Sequence, residues 1–161
     1  MMIIDKKLLN TLSTKAVNSV RKRMNYNFHQ TPGDPLQRML NILNPGSYVQ
    51  PHKHESPDKR EAFIILSGRL LVILFDKDGH IEEHCTLDHN EGIYGIEIPP
   101  GTYHTIAALE ANTCVYEVKD GPYSPDDDKH FAPWAPAEGL VPESANYLNH
   151  LLDKTKKATL S

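Results

Sequence analysis

The sequence lacks any apolar run long enough to cross a membrane. Hydrophobic residues make up 39% of its 161 residues, yet no run approaches the roughly 18 residues of a membrane span. Near the N-terminus, Asp5, Lys6 and Lys7 stand where a signal peptide needs its apolar core. We therefore expect a cytoplasmic protein with no membrane partner.

Cysteine and concentrated positive charge are also scarce. The two cysteines, Cys85 and Cys114, share no CxxC spacing, which indicates reduced residues of a core or strand rather than a disulfide. The formal net charge is −4 and the lysines are scattered, whereas a nucleic-acid-binding surface needs a basic stripe. We expect no nucleic-acid partner. Internal repeats and low-complexity tracts are absent too, so the length predicts a single domain.

Short apolar runs separated by turn residues make up the middle of the chain. Such closely spaced strands and turns are typical of an all-β sandwich or barrel. The predicted strands are Leu36–Leu43, the segment around His52, Glu61–Leu66, Arg69–Asp76, His80–Leu87, Ile93–Ile98, Tyr103–Leu109 and Thr113–Val118.

The ends of the chain have helical patterns. Apolar residues at helical spacing after Asp5, a plausible N-cap, predict a helix to about Asn18. A closing helix is predicted from Pro142, with a frayed tail after Asp153. The single domain is thus divided into an N-terminal helix and capping segment (1–30), a barrel (35–119) and a C-terminal arm with a helix (120–161).

The segment from Arg21 to His29 has two interpretations. Its polar and aromatic residues indicate a hydrogen-bonded strand or loop that caps the sheet, which is the interpretation we favour. Alternatively, it forms one wall of a functional site.

Two histidines one residue apart are the most informative pattern. Because side chains alternate along an extended segment, His52 and His54 should point to the same face. Glu61 begins the next apolar run, and pairing of that strand with the histidine strand would bring its carboxylate beside the imidazoles. His104 follows a Pro99–Gly101 turn in which Pro100 and Gly101 suit positions i+1 and i+2 of a type II turn. Imidazoles with one carboxylate suit zinc, iron, nickel and copper.

The same alternation predicts which side chains surround the four residues. The expected lining residues are Tyr48, Gln50, Phe63, Ile65, Thr102 and Ile106. The candidate acid–base groups, each equally compatible with a cross-strand or rim position, are Tyr94, Glu97, Tyr103 and Glu117. The histidines expected at the surface, because none has a second ligand at metal spacing, are His80, His84 and His89.

Two stretches resemble the motifs of the cupin superfamily. The pattern Gly46-x5-His52-x-His54-x6-Glu61-x6-Gly68 resembles the first cupin motif, and Pro99-x-Gly101-x2-His104 resembles the second. The gap before Glu61 is longer than usual, which lengthens a surface loop. The resemblance implies a double-stranded β-helix, or jelly-roll barrel, with a short helix at each terminus. It also implies one divalent transition metal ion per chain, Fe, Mn, Ni, Zn or Cu, held by His52, His54, Glu61 and His104.

Further stretches are similar to WbuC-type cupin-fold metalloproteins, which are associated with bacterial surface-polysaccharide clusters. The matching stretches are 23–29, 34–38, 95–101, 117–123 and 131–136. This resemblance implies a homodimer and a carbohydrate ligand, a sugar, sugar phosphate or nucleotide sugar of O-antigen synthesis, with the metal as Lewis acid in isomerisation or epimerisation. Two alternatives stay open: a non-catalytic sugar-binding or regulatory cupin, and an iron-dependent oxygenase. No catalytic residue is assigned.

Overall fold

The computed structural model describes residues 1–158, with side chains through Lys156. A short 3-10 helix, His89–Glu91, joins two of the strands. The other elements, in chain order, are α1 (Lys6–Val17), β1 (Arg23–Asn27), β2 (Leu36–Leu43), β3 (His52–Lys53), β4 (Glu61–Ser67), β5 (Leu70–Phe75), β6 (Ile81–Leu87), β7 (Gly95–Ile98), β8 (Tyr103–Ala108), β9 (Thr113–Asp120), β10 (His130–Phe131) and α2 (Val141–Ala158).

The strands form two five-stranded antiparallel sheets that pack face to face. Sheet A has the order β1-β2-β9-β4-β7, and sheet B has the order β10-β3-β8-β5-β6. Buried side chains from both sheets, including Phe63, Val72, Ile106 and Val115, fill the space between them. The predicted all-β architecture with a helix at each terminus is confirmed.

Alternating side chains on β4 show why the strand sits where it does. Glu61, Phe63 and Ile65 are buried on the inner face, whereas Ile64 and Leu66 are exposed on the outer face. This is the period of two expected for a strand with one face on the core. The strand thereby places a carboxylate at its first position, inside the barrel and beside the hydrophobic core.

The two helices cover the outer faces of the sheets. The Asp5 side chain accepts a hydrogen bond from the backbone N–H of Leu8 at 2.8 Å, which confirms the predicted N-cap of α1. Leu12 on α1 is buried against Leu40 of sheet A, and Leu148 on α2 is buried against sheet B. No helix among the described residues is both long and apolar enough to cross a bilayer.

The C-terminal end is more regular than the sequence suggested. The tail after Asp153, predicted to fray, continues α2 to Ala158. The reason is that Thr155 is buried, so the helix keeps a packed face beyond Asp153. Residues 159–161 of the predicted tail lie outside the described residues.

Two strands lie outside the range 35–119 predicted for the barrel. β1 pairs with β2 along its whole length, and β10 pairs with β3. β10 lies between Pro125 and Pro133 of the C-terminal arm, and its pairing places residues 128–131 next to the histidine segment.

Candidate metal centre

Four buried side chains meet inside the barrel at one end of the core. Each of them offers one ligand atom, and these atoms all lie within 4.8 Å of one another. Their exposed fractions are 4% or less. The residues are His52, His54, Glu61 and His104. The structure thus brings together the whole set that the sequence singled out.

The carboxylate comes from the opposite sheet, and not from a neighbouring strand as predicted. β3 pairs with β8, where His52 lies directly opposite His104, and with β10. β4, which begins with Glu61, pairs with β7 and β9 in sheet A. The predicted pairing of β3 with β4 is wrong because the loop of residues 55–60 carries the chain across from sheet B to sheet A. The cluster is therefore held between both sheets.

The turn before His104 is tied to the histidine pair. Gly101 has a φ of +72°, as the predicted position i+2 of a type II turn requires. Its backbone N–H donates to the backbone carbonyl of His54 at 2.9 Å. The turn and the pair thereby fix each other's positions, because one hydrogen bond joins the two segments that carry the imidazoles.

All three imidazoles are oriented by a backbone carbonyl. Nδ1 of His52 lies 2.9 Å from the carbonyl oxygen of Gln50, and Nδ1 of His104 lies 2.9 Å from that of Thr102. Nδ1 of His54 contacts the carbonyl oxygen of Asp128. A carbonyl oxygen only accepts hydrogen bonds, so each Nδ1 carries the proton and donates it. In the neutral ring, Nε2 is then left with a free lone pair.

The Nε2 lone pairs of His104 and His54 face the carboxylate of Glu61, and neither side carries a hydrogen atom that could form a hydrogen bond. Oε2 of Glu61 lies 2.9 Å from Nε2 of His104 and 3.6 Å from Nε2 of His54. Among the described residues, none of these three buried atoms has a hydrogen-bond partner of acceptable geometry. Unpaired acceptors in a buried site are costly, and a cation between them removes that cost. The donor set therefore fits a transition metal ion, with ring orientation fixed as in known metal sites.

The surroundings favour the protonation states that bind a metal. Burial, the charge of Lys129 and the neighbouring His104 hold the pKa of His52 well below its usual value. Burial raises the pKa of Glu61, whereas His104 and His54 lower it only when their imidazoles carry a positive charge, and a bound cation between these groups has the same effect. A neutral imidazole and an ionised carboxylate are the forms that coordinate metal ions.

A buried ion-pair cluster supports His54 from behind. The carboxylate of Asp128 accepts hydrogen bonds from Lys59 Nζ at 3.1 Å and from Lys119 Nζ at 2.5 Å, while its carbonyl holds the imidazole of His54. All three of these charged residues are buried. Sequence reasoning missed this cluster, because Asp128 lies in an irregular arm and shares no motif spacing with either lysine.

A cavity of about 610 Å³ opens beside the four residues. β1 contributes Asn25 and Asn27 to its wall, and β2 contributes Met39 and Asn41. The segment 21–29 therefore fits both interpretations, because β1 is a hydrogen-bonded strand and also forms one wall of the site. A cavity of this size is typical of small-molecule sites.

Two of the six predicted lining residues line the cavity and four do not. Phe63 on β4 and Ile106 on β8 line the cavity as expected. Tyr48 does not, since its hydroxyl donates to the carbonyl of Pro136 at 2.8 Å and its ring packs under α2. Val49 faces the cavity in its place. The alternation fails there because residues 48–51 are not in a strand. Other expected residues that do not line the cavity are Gln50, Ile65 and Thr102.

One of the four candidate acid–base groups lies in the cavity. Glu117 on β9 lines it and contacts the amide Nδ2 of Asn41. Burial and the nearby charge of Glu61 raise the pKa of Glu117 well above its usual value. The groups that do not line the cavity are Tyr94, Glu97 and Tyr103. His80 and His89 are exposed as predicted, whereas His84 is half-buried, and none of the three belongs to the cluster.

The fold is shared with solved structures of low sequence identity. CapF with the inhibitor 3-isopropenyl-tropolone is 22% identical with a TM-score of 0.58, over 71% of this chain and 32% of that chain. The capsular polysaccharide assembling protein CapF from Staphylococcus aureus is 24% identical with a TM-score of 0.55, over 66% and 28%. TT1209 from Thermus thermophilus is 21% identical with a TM-score of 0.54, over 74% and 97%. The chain thus spans about a third of the length of CapF. The likeness confirms the predicted cupin fold.

Sequence comparison gives the family. A search of curated proteins found no match. A family profile described as "Domain of unknown function (DUF6016)" matches residues 4–87, which is more than half of the chain. The matched range contains three of the four clustered residues, His52, His54 and Glu61, whereas His104 lies beyond it. The chain therefore belongs to the DUF6016 family.

Proposed function

We propose that this protein is a metal-dependent cupin in which His52, His54, Glu61 and His104 hold one divalent transition ion. The observation that carries the proposal is the set of buried Nε2 and carboxylate atoms that converge without hydrogen-bond partners. Three nitrogen ligands and one oxygen ligand suit zinc, iron, nickel, copper or manganese. An ion held by four protein ligands keeps positions for a substrate when its preferred geometry is octahedral.

The cavity supports a carbohydrate as the ligand. Its wall carries the side-chain amides of Asn25, Asn27 and Asn41, which can donate to and accept from hydroxyl groups. A metal ion acts as a Lewis acid that polarises a carbonyl or hydroxyl group. The carboxyl group of Glu117 is the cavity group placed to give or take a proton at the substrate, which is the requirement for isomerisation or epimerisation.

A role in surface-polysaccharide synthesis has two supports. The chain resembles WbuC-type cupins in several stretches, and the printed name of one structural neighbour, CapF, describes a capsular polysaccharide assembling protein. The neighbour's identity is below 25% and the chain spans only 28% of it. The substrate of this chain is therefore identified by experiment and not by the likeness.

The experiment is a screen of nucleotide sugars and sugar phosphates by NMR in deuterated water. The protein is loaded separately with zinc, with manganese and, without oxygen, with iron(II). We expect proton exchange or epimer formation at one carbon of one sugar, abolished in Glu61→Ala. Glu117→Gln should keep the metal and lose at least about 100-fold in exchange rate, as typical when a general acid is removed. Glu97→Gln, which changes an exposed carboxylate outside the cavity, is the matched control.

Two other results would replace the isomerase assignment. Ligand-induced shifts without turnover across the whole panel would favour a non-catalytic sugar-binding cupin. Oxygen uptake by the iron form would favour an oxygenase, since a histidine-rich site with open positions also holds iron and dioxygen.

We propose that the protein forms a homodimer through the outer face of sheet A. Ile64 and Leu66 lie two residues apart on the outer face of β4 and are 45% and 38% exposed. Adjoining exposed apolar side chains of this kind mark interaction surfaces. We expect light scattering to give twice the mass of the chain, and Ile64→Glu to give the monomer. A wild-type monomer at micromolar concentration would contradict this.

A further inference from the structure

The cavity beside the metal centre contains a cation without a partner. Lys129 lines the cavity and, within the described part of the chain, its ammonium group makes no ion pair and no hydrogen bond. Three of the four proposed metal ligands, His52, Glu61 and His104, line the same cavity. A ligand that fills the cavity therefore meets both the ammonium group and the metal centre.

The other cations of the cavity are already paired. Arg23 donates to both carboxylate oxygens of Glu138 at 2.7 Å, and Arg21 lies 3.8 Å from the same carboxylate. Lys119 donates to Asp128 at 2.5 Å. A new anion would have to compete with these carboxylates at the paired side chains, but not at Lys129.

The charge balance of the cavity also favours an anionic ligand. Four cationic and four carboxylate side chains line it: Arg21, Arg23, Lys119, Lys129, Glu61, Glu117, Asp128 and Glu138. The lining is thus formally neutral, and a divalent ion adds two positive charges. Uncompensated positive charge in a cleft raises the local concentration of anions and favours their binding.

The backbone holds Lys129 in place. Asp128, the preceding residue, is fixed by Lys59 and Lys119, and β10, which begins at the following residue, pairs with β3. Phe131 of β10 packs on the ring of His52 with 6.2 Å between ring centroids. The backbone of Lys129 therefore has a fixed position beside the cavity, and its exposed side chain extends from there.

We propose that the substrate is an acidic sugar, and that Lys129 binds its carboxylate or phosphate group while the rest of the molecule reaches the metal. Carboxylate and phosphate share the same chemistry toward an ammonium group. This inference rests on the proposed function, since it names the substrate class of the same site. Lys129 is a specificity-determining residue in this arrangement, because it distinguishes acidic sugars from neutral ones.

The test is calorimetric titration of the zinc-loaded protein with three probes: glucuronate, glucose 1-phosphate and glucose. At least one acidic sugar should bind, and glucose should bind at least about tenfold more weakly, as expected for a lost charge-assisted contact. The acidic probe that binds more tightly shows whether the acidic group of the substrate is a carboxylate or a phosphate. Lys129→Met should weaken that binding by about tenfold or more, and Lys129→Arg should retain most of it.

The matched control is Lys53→Met, which also removes one lysine charge. Lys53 lies on the face of β3 that points away from the cavity. Lys53 pairs with Glu55 at 2.8 Å and does not line the cavity. We expect wild-type affinity from it. Unchanged affinity of Lys129→Met for both acidic probes, or equal affinity of the wild type for glucose, would overturn the inference.

Metal content, measured on every variant, separates the two proposals. Lys129→Met should keep one ion per chain, because the lysine is not a ligand. If the wild type bound an acidic sugar through Lys129 yet held no metal, the metal assignment would fail and this inference would stand. If metal bound stoichiometrically and the Lys129 substitution had no effect, the inference would fail alone.

Discussion

The His104→Ala protein is expected to lose stoichiometric metal, whereas the wild type holds one ion per chain. His104 lies opposite His52 in the strand pairing, and its Nε2 is the nitrogen 2.9 Å from the Glu61 carboxylate. Removal of one of four ligands leaves an incomplete and less selective site. Elemental analysis after dialysis measures the content directly.

Thermal unfolding gives an independent readout of the same loss. A ligand present at 100 times its Kd stabilises the native state by about 2.7 kcal/mol. For a chain of this size that corresponds to a rise in Tm of roughly 5–10 °C. We expect this metal-dependent rise in the wild type and none in His104→Ala. The comparison of each protein with and without metal cancels the effect of the cavity that the substitution leaves.

His80→Ala serves as the control, because His80 pairs with Asp76 on the surface and lies outside the cluster. It should match the wild type in metal content and in Tm shift. Full metal retention by His104→Ala and by His52→Ala would contradict the proposed ligand set.

The Asp128→Ala protein is expected to lose about 3–5 kcal/mol of stability, the usual cost of leaving a buried charge without its partner. Its carboxylate is the shared acceptor of Lys59 and Lys119, both of which are buried. Chemical denaturation measures the change. Asp127→Ala is the matched control, since Asp127 is the adjacent and exposed aspartate, and a change within about 0.5 kcal/mol is expected for it.

The same substitution should weaken the metal site without touching a ligand. The carbonyl of Asp128 orients His54, and the side chain fixes where that carbonyl lies. Loss of such supporting contacts typically lowers metal affinity by about 10–100-fold. A competition titration with a chelator measures it. Wild-type affinity in a folded Asp128→Ala protein would show that the ion pairs stabilise the fold but do not position His54.

The sequence predicted the four-residue cluster because each member has a local signal. His52 and His54 are one residue apart, Glu61 begins an apolar strand, and His104 follows a Pro-Gly turn. Strand alternation also placed Phe63 and Ile106 correctly, since β4 and β8 are regular. Local patterns of this kind depend only on neighbours in the chain.

The missed features depend on long-range contacts. The partner sheet of Glu61 is set by where a loop crosses the barrel, and no residue pattern in 55–60 encodes it. The Asp128 cluster joins residues 69 positions apart in the case of Lys59. Tyr48 and Gln50 were misplaced because alternation was extended through a segment that is not a strand. Tertiary packing decided each of these cases.

The origin of the three carbonyls that orient the imidazoles sets the order in which the centre is assembled. Gln50 and Thr102 each precede their histidine by two residues, so the contacts that orient those two rings are local in the chain. The third carbonyl, at Asp128, is 74 positions from His54. During synthesis on a ribosome, the ring of His54 is therefore not fixed until the C-terminal arm has emerged and folded back. The fully oriented centre thus forms only after the arm has docked. A truncated or misfolded arm leaves the barrel without a fully oriented metal site.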